Sequence, residues 1–583
     1  MQGASPDDNF RCMESILEFA AHGRNVPGPI IQVVDARAIL QGLEAQLEAK
    51  GHTWADVGLL LVANSKLVTS QRGQGDSDQN LLHALMKFCA EREWSPPLMG
   101  ATTHSMFYAD GDEAISEIAD GLLIVAVMSA VLAEIPVAVE LTSHDADRRL
   151  AGRNAIQTAI QIFSDAMESE YGVILPPHDV FGQSTGILLT TGSGHVEKKF
   201  VEFKDCYAIG QELLDAFGDV LVVGGCATNR SAAQLQCLYY SVDLSPAERI
   251  YRFTYSHGAV FALLPYLRAS VDPKHPFVLD DRAEKLDIKF HEGPESRYAK
   301  DRFFVISEIN GKEPIDFWTD YWDLSREELL EMERDHTAIP IEPRTYSHTI
   351  VSSLSSTDKN AWPNVPIWFE SVNGAVMLRL VRAEAKDSNY FLMSLPDDAL
   401  RRNAESIVEF FDHNVGRAGS VLSFLCESRK YLLNQQGSNI EADVVLSSMP
   451  QASTKIGIYL NGEYSLGHRR SIGYHNFSQI TAVLPNRSVK ELPLEIAWAR
   501  MTRADKLREL QRLVIDLELD PTTEHEVRKE LTALADATVP VEQQRSIWMK
   551  IVRLAPGLFR SSGAQQIIVS LVTAELKREL DLN

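Results

Sequence analysis

Between residues 36 and 47 apolar side chains recur every three or four positions, the spacing of one buried helix face. The run VGLLLVA at 57–63 then has the unbroken apolar character of a buried strand. The alternation continues. Residues 81–89 predict a second helix, leading into a short strand, PLMGA, at 97–101. The stretch 121–141 is apolar for nearly a membrane-spanning length. Glu134 and Pro136 interrupt it, however, and its β-branched halves predict two buried strands joined by a turn. Residues 153–167 place Ile156, Ala159, Ile160 and Phe163 on one helix face. A further helix is predicted over 207–217, and VLVVGG at 220–225 predicts a strand ending on glycine.

These segments suggest a weak internal duplication. GATTH at 100–104 and GCATN at 225–229 each follow a short apolar strand, and each precedes another buried strand, GLLIVAV or GAVFALL. Chance similarity between two helix–strand units is the alternative. Residues 268–300 are rich in Pro, Asp and Lys and break the pattern, which predicts a linker there. A second α+β region follows, with apolar runs at 303–306, 367–369, 376–381, 421–425 and 456–460 and a long helix over 396–414. Beyond 485 the pattern turns helical. Leu507, Leu510, Val514 and Leu517 share a face, Thr523 and Glu526 have capping-box spacing, and further helices are predicted over 541–554 and 564–580.

Composition supports a folded chain of two or three domains: 583 residues, 45% hydrophobic and 23% charged. The formal charge is −24, which disfavours nucleic acid and anionic membrane surfaces as partners. Six scattered cysteines without a CxxC pair fit a reduced, cytoplasmic protein. The N-terminal residues lack the pattern of a signal peptide, and no membrane span is expected.

Familiar nucleotide-binding and zinc-protease signatures are absent. GQSTG at 182–186 matches a nucleophile elbow, but a strand follows the serine where that motif needs a helix. A turn serine is expected, and no catalytic residue is assigned. The candidates for ligand binding are polar groups at strand ends, where α/β proteins hold small molecules. They are Thr102, Thr103 and His104 after one strand, with Gly225, Thr228 and Asn229 after another. The plainer alternative is that these hydroxyls satisfy local backbone groups. Cys426 ends an apolar strand with Arg429 nearby. The cation would favour a reactive thiolate, against the alternative of a buried inert thiol. Glu463, His475 and Asn476 lie on later turns and could bring an acceptor, an imidazole and an amide to one site.

Taken in order, PLMGATT, GLLIVAVMS, VVGGCATN, FLCESR and NGEY…YHN…TAVLP resemble the paired FIST N and FIST C domains over roughly residues 30 to 485. The matching positions are Gly100 to Thr103, Gly224 and Gly225, Cys426 with Arg429, Gly462 with Glu463, and His475 with Asn476. The threonine that usually follows the His-Asn pair is displaced here, by FSQIT. The resemblance implies an α+β fold: two mixed α/β-sheet FIST domains, layered sheets covered by helices, followed by a small all-α C-terminal tail. The corresponding segments are an extension at 1–30, FIST N at 31–267, a linker at 268–300, FIST C at 301–486 and the helical region at 487–583. It implies a sensor of signal transduction that binds a small ligand, amino acids among those proposed for the family. Output would pass to a partner signalling protein through the tail helices. Some members resemble haem-bound nitric-oxide sensors, which makes His104, His475 or Cys426 candidate axial ligands. A ligand-independent interaction scaffold built on the tail is the other expectation.

Overall fold

The computed structural model describes residues 17–24, 36–49, 51–65, 71–110, 113–118, 121–128, 134–141, 148–171, 184–191, 195–196, 199–200, 221–228, 237–242, 249–254, 258–280, 283–291, 304–335, 342–353, 363–364, 366–372, 375–380, 389–414, 418–435, 439–448, 454–466, 473–475, 477–485, 503–517, 519–534, 536 and 538–560. The helices expected at 207–217 and 564–580 fall outside them. The chain divides into two compact units, one of residues 14–161 and 177–486, the other of 1–13, 162–176 and 487–583. The fold is α+β with several mixed sheets.

One succession of elements occurs three times along the chain. The first runs β1 (Leu17–Arg24), α1 (Ala36–Ala49), β2 (Leu59–Asn64), α2 (Gln71–Ala90), β3 (Leu98–Thr102), a hairpin of β4 (Met106–Asp110) and β5 (Glu113–Ile118), then β6 (Gly121–Val127). The second runs β7 (Val137–Leu141), α3 (Arg148–Tyr171), β8 (Thr185–Thr190), a small hairpin of β9 (His195–Val196) and β10 (Lys199–Phe200), β11 (Leu221–Cys226), the hairpin β12 (Leu238–Val242) and β13 (Ile250–Thr254), then β14 (Gly258–Leu264). The third opens with β15 (Ser270–Lys274) and is interrupted by an insertion.

The insertion carries β16 (Val278–Leu279), β17 (Lys285–Leu286), β18 (Ile288–Phe290), β19 (Phe304–Ile309), α4 (Pro314–Trp318), α5 (Arg326–Arg334), β20 (His348–Ser353), β21 (Pro363–Asn364), β22 (Pro366–Val372), β23 (Ala375–Leu380) and β24 (Asn389–Ser394). These form two small antiparallel sheets, with Trp318 stacked on Trp322 in a core of their own. The third succession then resumes with α6 (Ala399–Asn414), β25 (Ala418–Cys426), α7 (Glu427–Gln435), α8 (Ile440–Ser447), β26 (Thr454–Leu460), the hairpin β27 (Glu463–Leu466) and β28 (Gly473–His475), and β29 (Gln479–Pro485).

Each succession builds a six-stranded sheet on one plan: β1-β6-β2-β3-β12-β13, β7-β14-β8-β11-β27-β28 and β15-β29-β25-β26-β4-β5. In each, the middle pair is parallel and every other pairing antiparallel. The hairpins are exchanged in a cycle. The first succession gives its hairpin to the third sheet, the second to the first, and the third to the second.

The expected segments 31–267 and 301–486 therefore contribute strands to shared sheets rather than building separate ones. The expected linker at 268–300 holds β15 to β18; Pro273 is accommodated because β15 is an edge strand. The duplication seen in the sequence is present, with a third copy and a register shifted by one residue. Gly100 matches Gly224, not Gly225, and the third equivalent is Gly457. A Cβ at Gly100 or Gly224 would meet the carbonyl oxygen of Val62 or Leu188 at 2.3 or 2.0 Å, and one at Gly457 would strike the Phe107 ring at 1.9 Å.

Strand periodicity explains why the apolar runs are unbroken. Leu59, Leu61 and Ala63 enter a core shared by all three sheets, while Leu60 and Val62 pack beneath α1 and α2 with Leu40, Leu43 and Leu85. The 121–141 stretch forms two strands, as its pattern predicts, and among the described residues no helix is long and apolar enough to cross a membrane.

In the smaller unit, α9 (Arg503–Asp516), α10 (Pro521–Leu534) and α11 (Val541–Leu554) share a core of Leu510, Val514, Val527, Leu531, Ile547 and Ile551. The cap of α10 is Asp520 instead of Thr523. Its Oδ1 accepts from the backbone N–H groups of Thr522 and Thr523, both at 3.1 Å.

Candidate functional site

The carboxyl-terminal ends of the three parallel pairs are tied to one another by a closed cycle of backbone bonds. The N–H of His104 donates to the Tyr459 carbonyl at 3.0 Å, that of Asn461 to Cys226 at 2.9 Å, and that of Thr228 to Thr102 at 3.0 Å. In each case the donor stands two residues beyond the acceptor of its own strand, so His104, Thr228 and Asn461 are equivalent. Asn461 is absent from the sequence-predicted set. Its signal is the alignment of the NGEY turn with the other two strand ends.

A second set of bonds repeats the symmetry. Ser65, Thr191 and Cys426 each donate a backbone N–H to a carbonyl at the start of the neighbouring antiparallel strand, Gly121 of β6, Gly258 of β14 and Ser478 just ahead of β29, at 2.9, 3.0 and 2.9 Å. Cys426 thus stands where the other two sheets carry hydroxyls. Of the two readings of Cys426, the buried inert thiol fits its surroundings and the thiolate favoured by Arg429 does not. Burial pushes the Cys426 thiol up to about 12, with the neighbouring Glu463 and Glu427 adding to the effect. Arg429 is itself buried and engaged elsewhere, bonded to Glu441 and to the Phe477 carbonyl, the latter at 3.1 Å.

The threonines are buried and occupied with backbone. Thr102 Oγ1 accepts from the Cys237 N–H at 2.9 Å, and Thr103 Oγ1 lies 2.8 Å from both the Ser105 and Tyr459 carbonyl oxygens. Thr228 differs, for its hydroxyl donates to the Glu427 carboxylate. Glu427 opens α7, and desolvation raises it to about 7 despite that hydrogen bond. His104 is buried. Gly225 is where strands from distant parts of the chain touch, since a Cβ there would lie 2.6 Å from the Gly462 carbonyl oxygen.

Glu463 is fully buried. Ser478 Oγ donates to its Oε2 at 2.5 Å, and desolvation holds the carboxyl well above the usual range. Among the described residues, Glu463 Oε1, Ser465 Oγ and Ser105 Oγ are buried without a hydrogen-bond partner. His475 pairs with Glu463 across the β27–β28 ladder. Its side chain, with Asn229 and Asn476, lies outside the described residues.

Ser184 is a buried residue just ahead of β8 that accepts from the Tyr266 N–H at 3.0 Å, in keeping with a turn serine. Cys89, Cys226, Cys237 and Cys426 are buried thiols. The structure thus brings residues 102–104, 225–228, 426–429 and 461–463 to adjoining strand ends. What distinguishes this region chemically is one fully buried carboxyl, Glu463, and one partly buried, Glu427, both shifted upward by desolvation, amid unsatisfied hydroxyls, a setting suited to hydrogen-bonding a small molecule. No protein-family model matches the sequence, and no curated protein matches it.

Proposed function

We propose that this chain is a cytoplasmic sensor of signal transduction that binds a small ligand at the converging strand ends and reports it to a partner through the C-terminal helices. The observation that carries the reading is the closed cycle of bonds through His104, Asn461 and Thr228. It gathers the carboxyl ends of three parallel pairs, and such ends are the favoured ligand position in α/β sheets. A ligand spanning them would bias any rearrangement only to the extent that it binds one arrangement more tightly. The FIST resemblance points the same way.

The test is a thermal-shift screen of the full chain with amino acids, haem and small metabolites. A ligand that binds only the folded state stabilises it by about 2.7 kcal/mol at a hundred times its Kd. At least one compound is expected to raise Tm, and Thr228→Val is expected to reduce that shift. A screen without any shift would abandon the sensing role. The scaffold reading would then lead, since Ile515 and Met549 are large apolar side chains exposed on the helical unit. Replacing both by Lys should abolish partner capture in that case.

A further inference from the structure

The threefold equivalence allows every buried position to be compared with its two counterparts, and one pair departs from them. On the exchanged hairpin strands, residues opposite the second strand of each sheet correspond through the register. Leu238 faces Ala101, Met106 faces Ile458, and Glu463 faces Gly225. Two residues on, Tyr240 faces Met99, Tyr108 faces Ile456, and Ser465 faces Val223. Leu238, Met106, Tyr240 and Tyr108 all belong to the core shared by the three sheets, as do Val223 and Ile456. Directly paired residues of an antiparallel ladder point to the same face, so Glu463 and Ser465 point toward that same core. Two apolar pairs are thus replaced by a carboxyl and a hydroxyl, and at the second position serine lacks the phenol ring of its counterparts.

Both residues are fully buried, and Glu463 Oε1 and Ser465 Oγ have no hydrogen-bond partner among the described residues. A buried polar group left unsatisfied is costly, and native structures rarely keep one without a bound species to complete it. We propose that Glu463 and Ser465 form the floor of the ligand site and select a small uncharged molecule bearing a carbonyl acceptor and an N–H or O–H donor, of the primary carboxamide class. This deepens the ligand-binding reading and rests on it.

The chemistry follows from the groups present. Burial favours the protonated form of the Glu463 carboxyl, in which Oε1 donates to a carbonyl while Oε2 accepts from Ser478. Ser465 Oγ can accept the ligand's N–H. The nearby cation, Arg429, is paired with the Glu441 carboxylate and keeps only its Nε–H unpartnered among the described residues, so an anionic ligand would meet a charge already neutralised.

The experiment titrates the full-length protein with acetamide and propionamide, and with acetate and methylammonium as charged probes of similar size, read by saturation-transfer NMR. The expected result is binding of the amides alone, weakened about tenfold or more in Glu463→Leu and measurably in Ser465→Ala. Glu463→Gln, which keeps the shape, reports on the site should Glu463→Leu fail to fold, and it should still bind amide. Binding of charged probes in preference to amides, or amide binding unchanged in a folded Glu463→Leu, would overturn the inference and leave the sensing role standing. Absence of amide binding to the wild type would overturn it too, with ordered water as the occupant; the broader thermal screen decides the sensing role separately.

Discussion

Ser65, Thr191 and Cys426 occupy one place at three strand ends, and the comparison explains a cysteine that looked reactive in the sequence. A strand end flanked by an arginine is the setting in which a thiolate is stabilised, but α7 turns the Arg429 guanidinium to Glu441. Glu427, the next residue, gives a sharper test. Its folded pKa of about 7 lies above the ordinary 4.5, so between these values the folded state holds more protons than the unfolded chain. Its contribution to stability is fully present below pH 4.5 and is lost as pH rises through about 7. Glu463, held high by burial despite Arg429, acts in the same direction. Urea denaturation of Glu427→Gln between pH 5 and 7 should therefore show a slope flatter than wild type by up to ~1.4 kcal/mol per pH unit. An unchanged slope would mean that Glu427 is not desolvated.

At the scale of elements, periodicity was the reliable signal. Helix α3 buries Ile156, Ala159, Ile160 and Phe163, the face its spacing predicts, and β2, β3, β6, β11, β25 and β26 coincide with apolar runs. Local chemistry was less decisive where two residues could play one part. Thr523 and Glu526 have the spacing of a capping box, yet Pro521 is favourable at the first helical position and Asp520 caps the helix ahead of it. Asp520→Ala should cost about 1 kcal/mol in thermal or chemical denaturation of the helical unit, and Thr523→Ala only a few tenths. Equal costs would return the cap to Thr523. The short strands β15 to β18 were not legible because Pro, Asp and Lys read as linker, and edge strands tolerate all three.

For the whole molecule, sequence order was a poor guide to which strands share a sheet. Two of the three copies could be found by eye, because GATT and GCAT repeat a composition. The third, GIYLN at 457–461, shares with them only the glycine at position 457 and the bonding geometry. Likewise Thr102, Thr103, Thr228 and Glu463 were legible as polar strand ends, whereas the roles of Asn461 and Ser465 follow from pairings made hundreds of residues apart. The exchange of hairpins predicts that fragments 14–267 and 268–486, which keep β1 and β15, will lack dispersed amide NMR spectra when expressed separately. Together they should regain them, since β4 and β5 complete one fragment's sheet and β27 and β28 the other's. A dispersed spectrum from either fragment alone would contradict the shared sheets. The same exchange bears on synthesis. When β11 leaves the ribosome, the strand that will cover its open edge is more than two hundred residues from being made. At ordinary translation speeds that interval is on the order of ten to fifty seconds. Throughout it an apolar sheet margin stands ready to zip onto a neighbouring nascent chain. Holding chaperones, which cover such margins, should therefore raise the yield of this protein more than those that act on finished chains.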